Sequence, residues 1–197
     1  MQGHLIAFEG LDQSGKQTQA ERLRDRLSAL GRPVQLLSFP DYTTAIGIEL
    51  ANALAGERDY SPEVMQLLYI ANRYERKAEI VRALDAGTIV VSDRYLSSSI
   101  AYGEAFGLDP AWLAGIQRHL PQPSLTVLLD IAPATAVQRK SADRDRYERD
   151  LALQARVRDS YRRLATGEGW LVLDGERSRD DVAADVFRET TARLALR

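Results

Sequence analysis

A short glycine-containing segment near the start of the chain predicts how this protein binds phosphate. In it, Gly10 is followed after four residues by Gly15-Lys16. Glycines let backbone amides turn inward around a polyphosphate, and a following helix adds free N–H groups with partial positive charge. A lysine at this place adds a full positive charge for the outer phosphates. The segment therefore predicts a nucleotide-phosphate site, and Lys16 is one of only three lysines in the chain.

The residues after this lysine depart from the usual form of the motif. A Ser or Thr next to the lysine normally ligates Mg²⁺, whereas this chain has Gln17 and then Thr18. Two arrangements of the metal stay open: ligation by the Gln17 amide oxygen, or a hydrated ion held near Asp93. We expect the donor phosphates to contact the whole loop, which comprises Gly10, Leu11, Asp12, Gln13, Ser14, Gly15, Lys16, Gln17 and Thr18.

Asp93 and Arg94 form a second candidate site, because they follow the apolar run at 88–91. If that run is a strand, both residues lie at its carboxyl end, where open parallel sheets bind ligands. An Asp at this place can hold Mg²⁺ directly or through water, and an Arg can clamp a phosphate with two hydrogen bonds. Next to a phosphate loop we favour these roles over a surface ion pair, with Asp93 as the candidate metal ligand.

Short apolar runs alternate with helical patterns along the chain, which predicts an α/β fold. The predicted strands are 5–8, 34–39, 88–91, 125–129 and 170–173. The predicted helices are 16–30, 45–55, 62–86, 110–119, 134–139, 150–165 and 180–196. Apolar strands that alternate with helices indicate a five-stranded parallel sheet with helices on both faces, hence three layers.

Composition narrows the class of protein. The chain has 197 residues, of which 45% are hydrophobic, and this predicts a single folded domain over 1–197. The absence of cysteine excludes disulfides, thiolate zinc sites and Fe–S clusters. A net charge of −2 argues against a general nucleic-acid surface. No apolar run approaches the roughly 20 residues of a membrane span, so we expect no membrane contact and a cytoplasmic location.

Further segments, taken in order along the chain, resemble the thymidylate kinases. They are Phe8-Glu9-Gly10-Leu11-Asp12, Phe39-Pro40, Leu67-Leu68-Tyr69-Ile70-Ala71-Asn72-Arg73, Asp93-Arg94-Tyr95 with Ser98 and Ala101-Tyr102, and Tyr147-Glu148-Arg149 with Tyr161. The resemblance covers nearly the whole chain. It implies a P-loop NTPase-like fold, a homodimer, and Mg²⁺-dependent transfer of the γ-phosphoryl group of ATP to dTMP, which gives dTDP and ADP in the pathway to dTTP.

The resemblance also implies roles for individual residues around the acceptor. Tyr69 would stack on thymine and Arg73 would donate to its O4. Asp12 would approach the 3′-hydroxyl and the metal region, Arg94 would hold the dTMP phosphate, and Tyr102 would lie against the 2′ face of the sugar. The other acceptor-side residues that it implies are Phe39, Tyr42, Ser98, Ser99 and Tyr161. Many relatives have an arginine where this chain has Tyr42, so Arg94 would carry more of the phosphate recognition.

The charged run from Arg139 to Arg149 resembles a lid that closes over the phosphates. Relatives supply a catalytic arginine either from the lysine loop, where this chain has Gln13, or from such a lid. Mixed charges without an apolar stripe are typical of a segment that ligand orders, and we expect a small mobile lid at about 140–149. The predicted catalytic residues are therefore Lys16, Asp12 and Arg94 with the lid candidates Arg144, Arg146 and Arg149, of which Arg149 best matches the Tyr-Glu-Arg pattern.

Two other functions stay open from the sequence, and a third is disfavoured. A deoxynucleoside kinase acting on thymidine also has a lysine loop and an acidic-Arg pair. A degenerate P-loop module that only binds nucleotide would be consistent with the departures at Gln17 and Tyr42. A GTPase-like switch would require an Asn-Lys-x-Asp motif and a Ser or Thr after Lys16, and the sequence has neither.

Overall fold

The structure, a computed structural model, describes residues 3–139 and 150–196. Its strands are β1 (Leu5–Glu9), β2 (Val34–Ser38), β3 (Ile89–Asp93), β4 (Leu125–Asp130) and β5 (Trp170–Asp174). Its helices are α1 (Lys16–Ala29), α2 (Ala45–Leu54), α3 (Pro62–Asp85), α4 (Leu96–Ala105), α5 (Pro110–Gln117), α6 (Pro133–Arg139), α7 (Leu151–Leu164) and α8 (Arg179–Arg193).

The five strands form one parallel sheet in the order β2-β3-β1-β4-β5. β1 is central, and its neighbour β3 is in register with it so that Phe8 pairs with Asp93. Because both strands run the same way, their carboxyl ends lie side by side. The loop after β1 and the residues after β3 therefore meet at one edge of the sheet.

Helices cover both faces of the sheet. Successive β1 side chains point to opposite sides, and all of them are buried, so each face needs its own layer of helices. Ile6 and Phe8 pack with buried residues of α1 and α8 on one face. Leu5 and Ala7 pack on the other face against Ile80 of α3. α4 and α7 also lie on a common core, in which Leu153 and other α7 residues contact α4. The predicted three-layer fold with a five-stranded parallel sheet is confirmed.

The structure differs from the sequence prediction at two places, and a third part of the prediction is not tested. α4 (Leu96–Ala105) is a helix that the sequence reading did not predict. β3 continues through Asp93, so this residue ends the strand instead of following it. The predicted lid at 140–149 lies outside the described residues. Among the helices that the structure describes, none is long and apolar enough to cross a membrane.

Candidate active site

The loop between β1 and α1 has the backbone geometry that the glycines predict. Gly10 has φ +139°, and a Cβ there would lie 2.5 Å from the carbonyl oxygen of Leu129. Gly15 has φ +94° and is the N-cap of α1. Lys16 is 6% exposed, and its ammonium donates to the carbonyl of Leu11 at 2.7 Å. The lysine is thus folded along the inside of the loop that would hold the donor phosphates.

Burial disfavours the charged form of Lys16. Burial lowers its pKa to about 8 and the nearby Arg94 acts in the same direction, against the opposing charges of Asp12, Asp93 and Glu9. A polyphosphate beside the ammonium would favour its charged form and raise the pKa again. Binding of a nucleotide to the loop is therefore linked to proton uptake by Lys16.

This linkage predicts a pH-dependent signal in ATP binding. At pH 8 about half of the ligand-free molecules carry a neutral Lys16, so ATP binding should take up to about half a proton, and less at pH 7. Calorimetric titrations in two buffers with different ionisation enthalpies measure this uptake. Without ligand, the unfolded chain binds more protons between pH 8 and 10.5, so this group makes the protein more stable as pH rises through that window. Lys16→Met should abolish the uptake, and its persistence in that variant would assign it to another group.

Arg94 joins the phosphate loop to the acceptor side. It adopts φ +61°, and its guanidinium donates to the carbonyl of Gly10 at 3.3 Å and to Oδ1 of Asp12 at 2.5 Å. The same group reaches Oγ of Ser98 at 3.2 Å and the hydroxyl of Tyr102 at 3.4 Å. The lysine loop and the residues at the end of β3 therefore converge in the structure.

Asp12 is held in its ionised form by this arrangement. Burial acts to raise its pKa, but the charges of Arg94 and Lys16 and the hydrogen bonds from Arg94 and Tyr102 outweigh burial and hold the pKa well below its usual range. The Tyr102 hydroxyl donates to Oδ2 of Asp12 at 3.0 Å. Both carboxylate oxygens are thus engaged by side chains, and a role for Asp12 as a metal ligand stays a prediction.

Glu9 has a structural role that the sequence analysis did not assign. It is fully buried at the end of β1 and accepts from the backbone N–H groups of Tyr95 and Ser98 at 2.9 and 3.2 Å. Its other oxygen accepts from the hydroxyls of Ser98 at 2.6 Å and Tyr161 at 2.9 Å. A carboxylate at the N-terminus of α4 also complements the helix dipole. Glu9 therefore fixes α4 and the Ser98 hydroxyl beside Arg94; an acidic residue that ends an apolar strand was the available signal.

Replacing Glu9 with Gln should lower the free energy of unfolding by about 2–3 kcal/mol, because an amide nitrogen cannot accept these charge-assisted hydrogen bonds. Urea denaturation followed by circular dichroism measures the change. Glu21→Gln is a matched control, since Glu21 lies on the surface of α1, where it accepts from Gln17, and it should change stability by less than about 0.5 kcal/mol. Equal stabilities of the two variants would contradict the role given to Glu9.

A pocket beside Arg94 contains nearly all of the residues predicted to contact the acceptor. Its lining residues are Asp12, Phe39, Pro40, Tyr42, Leu54, Gln66, Tyr69, Arg73, Arg94, Ser98, Ser99, Tyr102 and Phe106. Tyr161 is the exception, since it is fully buried behind the pocket, where its hydroxyl meets Ser98 at 2.9 Å. The sequence analysis did not predict four of the lining residues as acceptor contacts: Pro40, Leu54, Gln66 and Phe106.

Arg73 presents a buried cation to this pocket. It is 2% exposed, and its Nη1 donates to Oγ of Ser99 at 2.7 Å and to the carbonyl of Tyr69 at 3.3 Å. Burial lowers its pKa to about 10. Its Nε has no hydrogen-bond partner among the described residues. Its guanidinium also lies 5.9 Å from the ring centre of Phe39. A carbonyl oxygen on a planar ligand would satisfy this charge.

Tyr42 lines the pocket and is 47% exposed. It adds a hydroxyl but no charge. The neighbouring Asp41 is engaged elsewhere, since it accepts from Arg76, and Arg76 is not among the lining residues. Within the described lining, the cations are therefore Arg73 and Arg94. Arg94 is the one next to the phosphate loop, which favours it as the group that holds the acceptor phosphate.

The polar groups near the loop fit a hydrated Mg²⁺ better than direct ligation by Gln17. Oδ1 of Asp93 is buried without a hydrogen-bond partner among the described residues, and burial raises the pKa of this carboxyl. Gln17 is exposed and its amide donates to Glu21 at 3.0 Å. The described part of the chain holds no cluster of three or more potential His, Cys, Asp or Glu ligands. An ion bound here would therefore take its other ligands from phosphates and water.

A second cleft lies on the donor side of the phosphate loop. It is lined by Gln13, Ser14, Gly15, Thr18, Gln19, Arg139, Gly175, Arg177, Arg179 and Val182. Arg139 at the end of α6 donates to the carbonyls of Gln13 at 3.1 Å and Gly175 at 2.8 Å. It is the only residue of the predicted charged run that the structure describes. Arg144, Arg146 and Arg149 lie outside the described residues, and their catalytic role stays a prediction.

Comparison with known proteins identifies the family. A family model described as thymidylate kinase matches residues 8–186. The chain belongs to the thymidylate kinase family. The thymidylate kinase of Schizosaccharomyces pombe is 35% identical over 189 residues, which are 93% of this chain and 90% of the relative. The human thymidylate kinase is 34% identical over 93% of this chain and 88% of the relative.

Solved structures give the same result. The structure of a thymidylate kinase from Candida albicans matches with a TM-score of 0.86 at 30% identity, and the match covers 98% of this chain and 93% of that chain. The resemblance predicted from the ordered motifs is thereby confirmed.

Proposed function

We propose that this protein transfers the γ-phosphoryl group of ATP to dTMP, which yields dTDP and ADP. One observation carries the proposal: the guanidinium of Arg94 donates both to Gly10 and to Asp12 of the phosphate loop while it lines the neighbouring pocket. A phosphate at Arg94 and a polyphosphate in the loop would then lie end to end. Membership of the thymidylate kinase family supports the assignment of the two nucleotides.

Phosphoryl transfer requires position and charge more than covalent chemistry from the protein. An oxygen of the dTMP phosphate attacks the γ-phosphorus, the bond to the β–γ bridging oxygen breaks, and ADP leaves. Lys16 places positive charge along the donor phosphates, and Arg94 holds the attacking phosphate next to them. Mg²⁺ would neutralise charge on the donor phosphates when bound, and Asp93 would help to hold it through the oxygen that has no partner among the described residues.

The acceptor pocket fits a pyrimidine with a carbonyl at position 4. Tyr69 offers an aromatic face for the base, and Arg73 offers a buried donor for O4. Cytosine carries an amine at that position, which would face the Arg73 cation and be rejected. The ring of Tyr102 borders the same pocket and fits the predicted contact with the 2′ face of the sugar. Binding of the deoxyribose 3′-hydroxyl by Asp12 would require Asp12 to share its contacts with Arg94 and Tyr102.

A coupled assay of ADP release with ATP and Mg²⁺ tests this function. The acceptors are dTMP, dUMP, dCMP, CMP and thymidine at equal concentration. We expect the highest kcat/KM with dTMP. Preference for thymidine would instead favour a deoxynucleoside kinase, and nucleotide binding without turnover would favour a binding module. Omission of Mg²⁺ should abolish turnover.

We also propose that the protein forms a homodimer through α3. Apolar or aromatic side chains that are exposed or half-buried recur along this helix at alternating spacings of three and four residues. They are Val64, Leu67, Ala71, Tyr74, Ala78 and Val81. Val64 and Leu67 are 39% and 45% exposed. Such a stripe is typical of a helix that packs against a second helix. We propose that this stripe packs against the same stripe of a second copy of the chain. The cytoplasmic location stays a prediction.

Light scattering coupled to size-exclusion chromatography tests the dimer. Leu67→Glu should shift the mass from dimer to monomer, because a carboxylate would be buried in the interface without a partner. Leu30→Glu is a matched control, since Leu30 is 59% exposed at the end of α1, and it should remain dimeric. A monomeric unmodified protein, or a dimeric Leu67→Glu variant, would contradict the proposed interface.

A further inference from the structure

One polar side chain in the acceptor pocket has no role in the function described so far. Gln66 lies on α3, three residues before Tyr69 and seven before Arg73, so the three share one face of the helix. Gln66 lines the pocket and is only 3% exposed. Its amide oxygen is buried and has no hydrogen-bond partner among the described residues.

The side-chain amide of Gln66 is less well hydrogen-bonded than those of two other buried glutamines. Gln19 and Gln117 also have unpartnered amide oxygens, but their Nε2 groups donate to backbone carbonyls, of Arg179 at 3.0 Å and of Leu96 at 3.3 Å. Within the described part of the chain, Gln66 has no such anchor. A buried amide oxygen without a hydrogen-bond partner among the described residues is unfavourable in the free protein, and a ligand that donates to it would remove this penalty.

Helix α4 has a glycine where it approaches Gln66. Gly103 of α4 faces the stem of Gln66, and a Cβ at Gly103 would lie 3.4 Å from Gln66 Cγ and 2.4 Å from Leu113 Cδ1. Glycine at this position therefore leaves room beside α4 for the stem of Gln66. Arg73 donates to Ser99, and the proposed function already gives it the role of donor to O4.

We propose that Gln66 recognises the imide edge of the thymine base and is a specificity-determining residue. Its Oε1 accepts a hydrogen bond from N3–H and its Nε2 donates to O2, which leaves O4 to Arg73. This inference rests on the proposed function. A primary amide offers an adjacent acceptor and donor, the complement of an imide edge. Cytosine has acceptors at both N3 and O2, so an amide in this orientation pairs with only one of them, while the cytosine amine at C4 faces Arg73.

Steady-state kinetics of Gln66→Met with dTMP, dUMP and dCMP test the inference. Methionine keeps the length and volume of the side chain but removes its donor and acceptor. We expect kcat/KM for dTMP and dUMP to fall about 10- to 30-fold, mainly through KM, with kcat within about twofold. The value for dCMP should change little, so the ratio of dTMP to dCMP falls by about the same factor. The ligand-free variant should melt at an equal or higher temperature, because an unpartnered polar group has been removed.

Gln117→Met is the matched control, since Gln117 is equally buried and lies outside the pocket. It loses hydrogen bonds to Leu96 and Leu113, so its melting temperature should fall while the dTMP to dCMP ratio stays unchanged. An unmodified protein without dTMP turnover would overturn the proposed function and this inference together. Normal turnover with an unchanged ratio in Gln66→Met would overturn this inference alone. A lower kcat and melting temperature at unchanged KM would also overturn it, because that pattern indicates a purely structural role.

Discussion

Arg94→Ala should lower kcat/KM for dTMP by about 10²–10³-fold, while KM for ATP changes by less than about threefold. Arg94 is the lining cation that lies next to the phosphate loop, and the neighbouring Tyr42 supplies no charge. Loss of its guanidinium therefore removes the main cation that would bind the acceptor phosphate. Initial rates over a grid of ATP and dTMP concentrations measure both parameters.

Two further variants show whether the effect belongs to Arg94 itself. Arg94→Lys keeps the charge but not the two-pronged geometry, so it should recover only part of the loss. Arg76→Ala removes an arginine that is paired with Asp41, as Arg94 is with Asp12, but that does not line the pocket. It should change kcat/KM by less than about threefold. An unchanged KM for dTMP in Arg94→Ala would contradict the assignment of the acceptor phosphate.

Lys16→Met should lower kcat by about 10²–10³-fold, because the variant removes a preorganised positive charge from the developing charge on the transferred phosphoryl group. Lys16 is buried, and its ammonium donates to the Leu11 carbonyl in the ligand-free protein, so this group lies along the inside of the phosphate loop. Affinity for dTMP alone should stay within about threefold, since Lys16 does not line the acceptor pocket. Single-turnover rates and calorimetric dTMP binding separate these two effects.

Lys77→Met provides the control for this experiment. Lys77 is another of the three lysines, and its ammonium lies 5.8 Å from the ring centre of Tyr74 on α3, away from the phosphate loop. Its replacement should leave kcat within about twofold. A kcat in Lys16→Met within fivefold of the unmodified protein would contradict the role of this lysine in the chemistry.

The fold was predictable because its strands are apolar and its helices are punctuated by recognisable ends. β1 and β4 are almost wholly buried, so they appear in the sequence as apolar runs. Ser61 with Pro62 marks the start of α3, and the structure shows the Ser61 side chain capping that helix. α4 was not predictable in the same way. It is rich in serine and contains Gly103, and its N-terminus is satisfied by Glu9 of β1 instead of by a local cap.

The site was predictable where the motif itself specifies the geometry. The loop from Gly10 to Lys16 and the position of Arg94 follow from local sequence and from the adjacency of two parallel strands. Glu9 and Gln66 were missed because their roles depend on contacts between distant parts of the chain. Glu9 bonds to Tyr161, 152 residues later. Gln66 reads from the sequence as an ordinary polar helix residue, and only its burial in the pocket distinguishes it.

A bisubstrate ligand, in which adenosine and thymidine are joined 5′ to 5′ by five phosphates, tests whether the Lys16 loop and the Arg94 pocket form one continuous site. Calorimetric titration should give one ligand per chain, bound at least about ten times more tightly than ATP or dTMP alone. Inhibition should be competitive against both nucleotides. Competition with only one of them, or two ligands bound per chain, would contradict a shared site in which donor and acceptor phosphates meet.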